Sequence, residues 1–301
     1  MSNILEDMKK EHDFLVCVDS DGCVFDNMEL KHKECFCPAT VNIWGLQGVS
    51  RYARECWDFV NLYSTTRGIN RFPGIVRTLE LLDGRPEARA RGYRCPDLTP
   101  LKEWIASTDA LSAVAIKKYA EEHPDMPEVL KKAALWSEEV NGNVEHIVHG
   151  IVPFPSVKET LCHLRTFADV VVVSAASHDA LSREWESCGL IDYVTVVAGQ
   201  ELGNKAECIR KAMGTRYEKN HVLKIGDAPG DYDAAKQNGV LFSPIIPGKE
   251  DESWRRILER DADLFRNLEY AGDAMDGNLK DFFSVLLDTP PWDTGKKESE
   301  R

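Results

Sequence analysis

Short apolar runs rich in valine recur along this chain, and most of them end in small or polar residues. Runs that are apolar at successive positions are typical of strands buried on both faces, as in parallel sheets. The runs span residues 14–18, 170–173, 194–197, 221–225 and 239–242. Helical patterns lie around the last four, at residues 156–167, 179–188, 206–213 and 231–238. This alternation predicts an α/β fold with a doubly wound, Rossmann-like parallel sheet.

The segment 28–149 interrupts the alternation because it contains no comparable run. It does contain two helical patterns, 108–122, opened by Thr108-Asp109, and 127–148. We interpret it as a mostly α-helical insertion. The alternative, a separate upstream domain, would leave the strand at 14–18 unpaired. The predicted division is a core of residues 1–27 and 150–288, an insertion of residues 28–149, and a tail of residues 289–301 that is disordered because of its prolines and charges.

Composition excludes several classes of partner. The 301 residues include 37 Lys plus Arg and 50 Asp plus Glu, for a net charge of −13. We therefore expect no binding to nucleic acid or to an anionic membrane, which basic patches attract. The first residues do not resemble a secretory signal, and no apolar run is long enough to span a bilayer. Nine cysteines without a CxxC pair indicate reduced thiols in a cytoplasmic protein rather than a zinc site.

Polar side chains follow three of the predicted strands. Asp19 and Asp21 follow the first run, and Ser174 follows the second. The run 221–225 ends at Gly226-Asp227, and Asp231 lies four residues after Asp227. Lys205 precedes a predicted helix. Parallel sheets bind ligands at the carboxyl ends of their strands, so we expect these groups to meet at one edge. Each residue alone also has an ordinary explanation, as turn chemistry, a helix cap or a solvated lysine.

This ordered set resembles the motifs of the haloacid dehalogenase superfamily. Those motifs are an apolar strand ending in DxDG, a strand ending in Ser or Thr, a lysine before a helix, and a strand ending in GDxxxD. By its position only, the insertion resembles the helical cap of the phosphoglycolate phosphatase and β-phosphoglucomutase branch. One departure is that Ala206 follows Lys205, where that branch frequently has proline.

The resemblance implies a magnesium-dependent phosphoryl-transfer enzyme. Asp19 would attack phosphorus and form an aspartyl-phosphate, and Asp21 would protonate the leaving oxygen and later deprotonate water. An ordinary Asp pKa near ~3.9 would leave Asp19 ionised at neutral pH. Ser174, Ala175 and Lys205 would bind the phosphoryl oxygens, with Ser174 and Lys205 stabilising charge in the transition state.

The same resemblance implies that Mg²⁺ binds to Asp19, Asp227 and the backbone carbonyl of Asp21. Asp231 would be either a further ligand or a residue that fixes Lys205. The expected substrate is a small phosphorylated metabolite, and the oligomeric state is left open. A phosphomutase of the β-phosphoglucomutase type is one alternative, and a non-catalytic binding protein on the same fold is another.

The segment 64–72 of the insertion carries two arginines, Arg67 and Arg71, around a glycine. They could grip the leaving group of the substrate. Alternatively, their spacing of four places them on one solvated face of a helix.

Overall fold

The computed structural model describes residues 4–108 and 111–293. Its centre is a five-stranded sheet in which all neighbouring strands are parallel, in the order β3-β2-β1-β4-β5. The strands are β1 (Phe14–Val18), β2 (Ala168–Val173), β3 (Val196–Ala198), β4 (Val222–Gly226) and β5 (Leu241–Pro244). This confirms the predicted α/β fold.

Both faces of the sheet are covered, which explains why its strands are apolar at successive positions. Val16 and Val18 pack into one hydrophobic cluster, whereas Leu15 and Cys17 pack into another on the opposite face. Side chains alternate between the faces of a strand, so a strand buried on both sides needs apolar residues at every position.

The α-helices number from α1 (Ile4–Asp7) before the first strand. The insertion contains α2 (Met28–Leu30), α3 (Cys37–Ile43), α4 (Ser50–Asp58), α5 (Arg71–Asp83), α6 (Pro86–Ala90), α7 (Thr99–Ser107), α8 (Ala113–Glu122) and α9 (Glu128–Ile147). The core continues with α10 (Val157–Leu164), α11 (His178–Ser187), α12 (Lys205–Met213), α13 (Pro229–Asn238), α14 (Glu250–Arg256), α15 (Ala262–Arg266) and α16 (Asp273–Ser284).

The strand order reverses between β1 and β4. The chain runs outward from β1 through β2 to β3 and then returns to the other side of β1 with β4. Helices that cross on opposite faces leave a crevice at such a point, and ligands bind there outside the carboxyl ends of the strands. The ends of β1 and β4 are paired through Val18 and Ile225. The residues that follow these two strands therefore occupy the crevice.

One predicted helix begins well after its predicted start. The pattern 108–122 predicts a single helix from Thr108, but Thr108 is extended and α8 begins at Ala113. Ser112 caps this helix because its side chain accepts a hydrogen bond from the backbone N–H of Ala115, at 3.1 Å. The predicted opening residue Asp109 lies outside the described residues.

The molecule divides into two compact units, residues 1–27 with 150–285 and residues 28–149 with 286–301. The second unit has its own hydrophobic core, in which Trp57 and Trp136 are fully buried. Part of the tail predicted to be disordered packs here: the Trp292 ring lies 5.9 Å from that of Phe59 and 4.2 Å from the Arg85 guanidinium. These aromatic and cation–π contacts outweigh the effect of the local prolines. Residues 294–301 of that predicted tail lie outside the described residues.

Over the ranges 4–108 and 111–293, none of the helices combines the length and the apolar character that crossing a membrane requires.

Candidate active site

Asp19 is the first residue after β1 and is 5% exposed. Its backbone N–H continues the sheet by donating to the Ile225 carbonyl at 3.0 Å. Its carboxylate Oδ1 accepts a hydrogen bond from the Ser20 N–H at 2.8 Å. The carboxylate is therefore fixed by the end of the strand itself.

Asp21 lies in the turn that follows. Gly22 adopts φ +69°, a left-handed conformation that favours glycine over other residues. Asn27, which is fully buried, accepts a hydrogen bond from the Gly22 N–H at 3.1 Å and donates to Asp21 Oδ1 at 2.6 Å. Asn27 thus orients the Asp21 carboxylate. Sequence reasoning missed this residue because it lies six positions away, in a segment without a regular pattern.

Lys205 is the first residue of α12, directly after the N-cap Asn204. Asn204 and Glu207 form a reciprocal capping box that fixes the start of this helix. The Lys205 ammonium donates to Asp19 Oδ2 at 2.6 Å and to Asp231 Oδ1 at 2.8 Å. The predicted meeting of the first and third motifs is therefore present in the structure.

Asp227 and Asp231 follow β4, on the loop and on the first turn of α13. Asp19, Asp227 and Asp231 are all buried, and each offers a carboxylate oxygen within 4.8 Å of the others. A Cβ added at Gly226 would lie 2.3 Å from the Asp231 carboxyl carbon, so only glycine allows this approach. This cluster could hold a metal ion.

The carboxylate cluster suits Mg²⁺ in its donor type. Mg²⁺ prefers hard oxygen ligands, and a few carboxylates completed by water and phosphate are its usual environment. Asp231 Oδ2 is buried and has no hydrogen-bond partner among the described residues. A buried carboxylate oxygen without a partner is costly, and a cation would satisfy it.

Lys224 is a further charged residue at this site, and sequence reasoning missed it. It is 0% exposed, and its ammonium lies 2.9 Å from Asp231 Oδ1. The run 221–225 predicts a buried strand, and the pattern contains no signal that one lysine in it turns toward the active site. The only available clue was a charged residue at a position where both faces are covered.

The site perturbs the pKa values of its groups. Burial, together with the charges of Asp231 and Asp227, raises the pKa of Asp19 to about 7, although Lys205 and Lys224 oppose the shift. The pKa of Asp231 is lowered to about 2: burial acts against ionisation, but the two lysines outweigh it. Burial lowers the pKa of Lys205, yet its ion pairs with Asp19 and Asp231 raise it overall. The expectation of an ordinary pKa for Asp19 is therefore wrong, because burial among like charges disfavours its ionised form.

Ser174 follows β2 and is buried, at 5% exposure. Its backbone N–H donates to the Ala198 carbonyl at 3.1 Å, and its Oγ accepts from the Ala176 N–H at 3.2 Å. Ala175 is exposed. The pairing of β2 with β1 places both residues at the carboxyl edge of the sheet, as predicted from the strand ends.

Arg67 and Arg71, the two arginines predicted to bind substrate, make contacts within the insertion. Arg67 is buried and donates to the Leu62 carbonyl at 3.0 Å. Arg71 donates to the Ser137 hydroxyl at 3.1 Å and to Asn141 Oδ1 at 2.8 Å, and its guanidinium lies over the Phe36 ring. These contacts connect α5 to α9, so neither arginine lies on a freely solvated helix face.

Residues 99–244 match the sequence profile of the family described as haloacid dehalogenase-like hydrolases. The matched range includes Ser174, Lys205, Asp227 and Asp231 and excludes β1 with its two aspartates. No curated protein matches the sequence significantly.

Several solved structures are similar to this chain at low sequence identity. A predicted phosphoglycolate phosphatase from Haemophilus somnus is 14% identical with a TM-score of 0.47, over 78% of this chain and 86% of that one. A haloacid dehalogenase-like family hydrolase from Streptococcus pneumoniae is 11% identical with a TM-score of 0.43, over 80% and 90%. A candidate β-phosphoglucomutase from Thermotoga maritima is 15% identical with a TM-score of 0.41, over 81% and 96%.

The profile match covers three of the four motifs, and the structure brings the fourth, Asp19 after β1, into hydrogen-bond contact with Lys205. Over residues 99–244, just under half of its length, the chain is similar to the haloacid dehalogenase-like hydrolases.

Proposed function

We propose that this protein is a hydrolase of the haloacid dehalogenase-like type, a magnesium-dependent phosphatase that hydrolyses a small phosphorylated metabolite through an aspartyl-phosphate on Asp19. The observation that carries the proposal is the contact of 2.6 Å between the Lys205 ammonium and the Asp19 carboxylate, beside the carboxylates of Asp227 and Asp231. It supplies a nucleophile, a cation for the phosphoryl group and a set of metal ligands in one crevice.

In the first step, an Asp19 oxygen forms a bond to phosphorus while the bond from phosphorus to the leaving oxygen breaks. The leaving oxygen takes the proton of Asp21, which the hydrogen bond from Asn27 holds in place. In the second step, water attacks the phosphorus of the aspartyl-phosphate. Asp21 takes a proton from this water, phosphate is released, and the Asp19 carboxylate is restored.

Lys205 and Ser174 act on the phosphoryl oxygens in this proposal. The Lys205 ammonium lies against the nucleophile, where it can contact a transferring phosphoryl group. The Ser174 Oγ accepts one hydrogen bond, and its hydroxyl hydrogen can be donated to a phosphoryl oxygen, with Ala175 beside it. Such donors stabilise the charge that spreads over the phosphoryl oxygens in the transition state.

The residues that would hold Mg²⁺ are Asp19, Asp227 and the backbone carbonyl of Asp21, with Asp231 beside them. When bound there, Mg²⁺ supplies positive charge that offsets the repulsion between these carboxylates and the phosphoryl group. The same charge would favour the ionised form of Asp19, whose pKa is raised to about 7 by burial and by the neighbouring carboxylates.

The substrate class follows from charge. In a chain of net charge −13, the partly buried Lys205 and the fully buried Lys224 are the local cations that an anionic phosphate needs. All nine cysteines are free, which supports the proposal of a reducing, cytoplasmic environment.

The test is phosphate release from a panel of phosphorylated metabolites with Mg²⁺, comparing the wild type with Asp19→Asn and Asp21→Asn. We expect a loss of at least ~10³-fold in kcat for Asp19→Asn, because the nucleophile is removed. Asp26→Asn, an exposed carboxylate in the same turn, is the matched control and should retain activity. A wild type that releases no phosphate from any metabolite, or a fully active Asp19→Asn, contradicts the proposal. Transfer of phosphate between positions of a sugar without release would establish a phosphomutase instead.

A further inference from the structure

Lys224 is a lysine with no exposed surface in the second-to-last strand of the sheet. Its neighbours in sequence, Leu223 and Ile225, pack on one face, whereas Val222 packs on the other. By alternation, Lys224 shares the face of Val222, which α12 and α13 cover. These are the helices that carry Lys205 and Asp231.

The Lys224 ammonium has two oxygen neighbours, Asp231 Oδ1 at 2.9 Å and the Val173 carbonyl at 3.4 Å. The same Asp231 oxygen also accepts from Lys205 at 2.8 Å. This one carboxylate oxygen is therefore bound by two ammonium groups, that of Lys224 from strand β4 and that of Lys205 from the start of α12. The second oxygen, Oδ2, has no partner among the described residues.

The free energy of folding does not explain why a lysine occupies position 224. Burying an ion pair costs desolvation energy, and apolar residues of similar volume are often equally or more stabilising. The strand neighbours of Lys224 in register are Cys17 and Phe242, which a Met or Leu side chain would suit. The explanation must therefore come from the site.

We propose that Lys224 is a positioning residue that keeps Asp231 engaged with Lys205 and lowers the affinity of the carboxylate cluster for the divalent cation. This inference rests on the proposed function. The three carboxylates and two ammonium groups carry a formal charge of −1, and without Lys224 the charge would be −2. A cation would then bind a more negative cluster, and Asp231 would be freer to turn toward it.

The consequence is a division of labour between the carboxylates. Asp19 and Asp227 would serve the cation, while Oδ1 of Asp231 serves Lys205 and so holds the ammonium against the nucleophile, which leaves only Oδ2 of Asp231 for the cation. Charges a few ångströms apart interact by several kcal/mol at an effective dielectric constant of ~20, so removal of one ammonium group has a measurable effect.

The test is a Mg²⁺ titration by calorimetry on the whole protein without substrate, with phosphate release measured alongside. We expect Lys224→Met to bind Mg²⁺ about 10-fold more tightly or better, and to lose kcat because Lys205 is less well fixed. Lys236→Met, which removes an exposed lysine from the helix of Asp231, should change the dissociation constant less than twofold, since water screens it.

A double variant, Lys224→Met with Asp231→Asn, removes both partners of the buried pair. Its formal charge equals that of the wild-type cluster, so its Mg²⁺ affinity should return toward the wild-type value, and it keeps the test open if Lys224→Met alone does not fold. Unchanged or weaker Mg²⁺ binding by Lys224→Met overturns the inference while the wild type still binds Mg²⁺ and releases phosphate. If the wild type does neither, the proposed function itself fails.

Discussion

The core and the insertion both contain buried charged side chains, but they use them differently. In the core, Lys205 and Lys224 converge on Asp231 beside the nucleophile Asp19, and a carboxylate oxygen there is left for a further ligand. In the insertion, the buried Arg67 donates to the Leu62 carbonyl, and the partly buried Arg71 donates to Ser137 and Asn141. Burial of a charge therefore does not by itself mark a functional site.

What separates the two cases is the geometry that the backbone imposes. Ends of parallel strands meet at one edge, so groups placed after strands converge and repel unless a ligand or counter-charge joins them. A partly buried arginine on a helix, such as Arg71, finds hydroxyl and amide groups of the neighbouring helix, and its charge is satisfied locally.

The largest expected effect that tests this comparison is the loss of a core cation. Lys205→Met should lower kcat by about 10²–10³-fold, because it removes the ammonium group that contacts the nucleophile and the phosphoryl oxygens. Steady-state phosphate release measures it. Arg210→Met, an exposed cation on the same helix, should retain kcat within twofold. Equal activities for both variants would remove the distinction between the two regions.

The second expected effect is the cost to stability of ionising the buried Asp19 carboxyl when no metal is bound. The pKa of Asp19 is raised from 3.8 to about 7, so the folded protein holds this proton more tightly than the unfolded chain. The associated stability is present below pH 4 and is lost as the pH rises through about 7. Asp19→Asn should therefore raise Tm at pH 8 in the presence of EDTA, by roughly 5 °C, and by less than about half as much at pH 5.

Ionisation of Asp231 does not contribute to the difference in Tm between pH 5 and pH 8. Its pKa is lowered to about 2, so its stabilising contribution is lost only as the pH falls through that value, below the range tested. Asp26→Asn should show no difference between the two pH values. A lower Tm for Asp19→Asn at pH 8 would mean that the Asp19 carboxylate stabilises the metal-free core.

The smallest expected effect belongs to the insertion. Arg71→Met should reduce the free energy of unfolding by about 1–2 kcal/mol, because it leaves the Ser137 and Asn141 acceptors without their donor. Its kcat and KM should stay within twofold of the wild type. Arg77→Met, an exposed arginine on the same helix, is the control for stability. A KM raised more than tenfold at unchanged stability would instead support the predicted role in substrate binding.

Much of the core could be predicted because its signals are local. The strand 14–18 has the predicted bounds. The observed bounds of the other four strands differ from the predicted ones by no more than two residues at either end. Asp19 and Lys205 meet because strand ends and helix starts in a parallel sheet share one edge. The proximity of Asp19 and Lys205 could therefore be predicted without knowledge of any tertiary contact.

The rest depends on contacts that the local pattern does not encode. Lys224 turns toward Asp231 only because α13 covers that face, and Asn27 reaches Asp21 only through the turn around Gly22. The start of α8 at Ala113 is set by the Ser112 cap, which the predicted helical pattern 108–122 did not locate. Long-range contacts of this kind cannot be read from residue periodicity.

The end of the described chain has a consequence for how the molecule can be taken apart. Leu287 exchanges backbone hydrogen bonds with Tyr63 and Thr65, and Trp292 packs beside Phe59. The polypeptide therefore crosses between the two units three times, near residues 27, 149 and 285. Residues 28–149 are therefore not a complete unit that could be excised at its two ends and expressed alone. A faithful excision would also have to carry the segment 286–293, supplied by a linker or as a separate peptide.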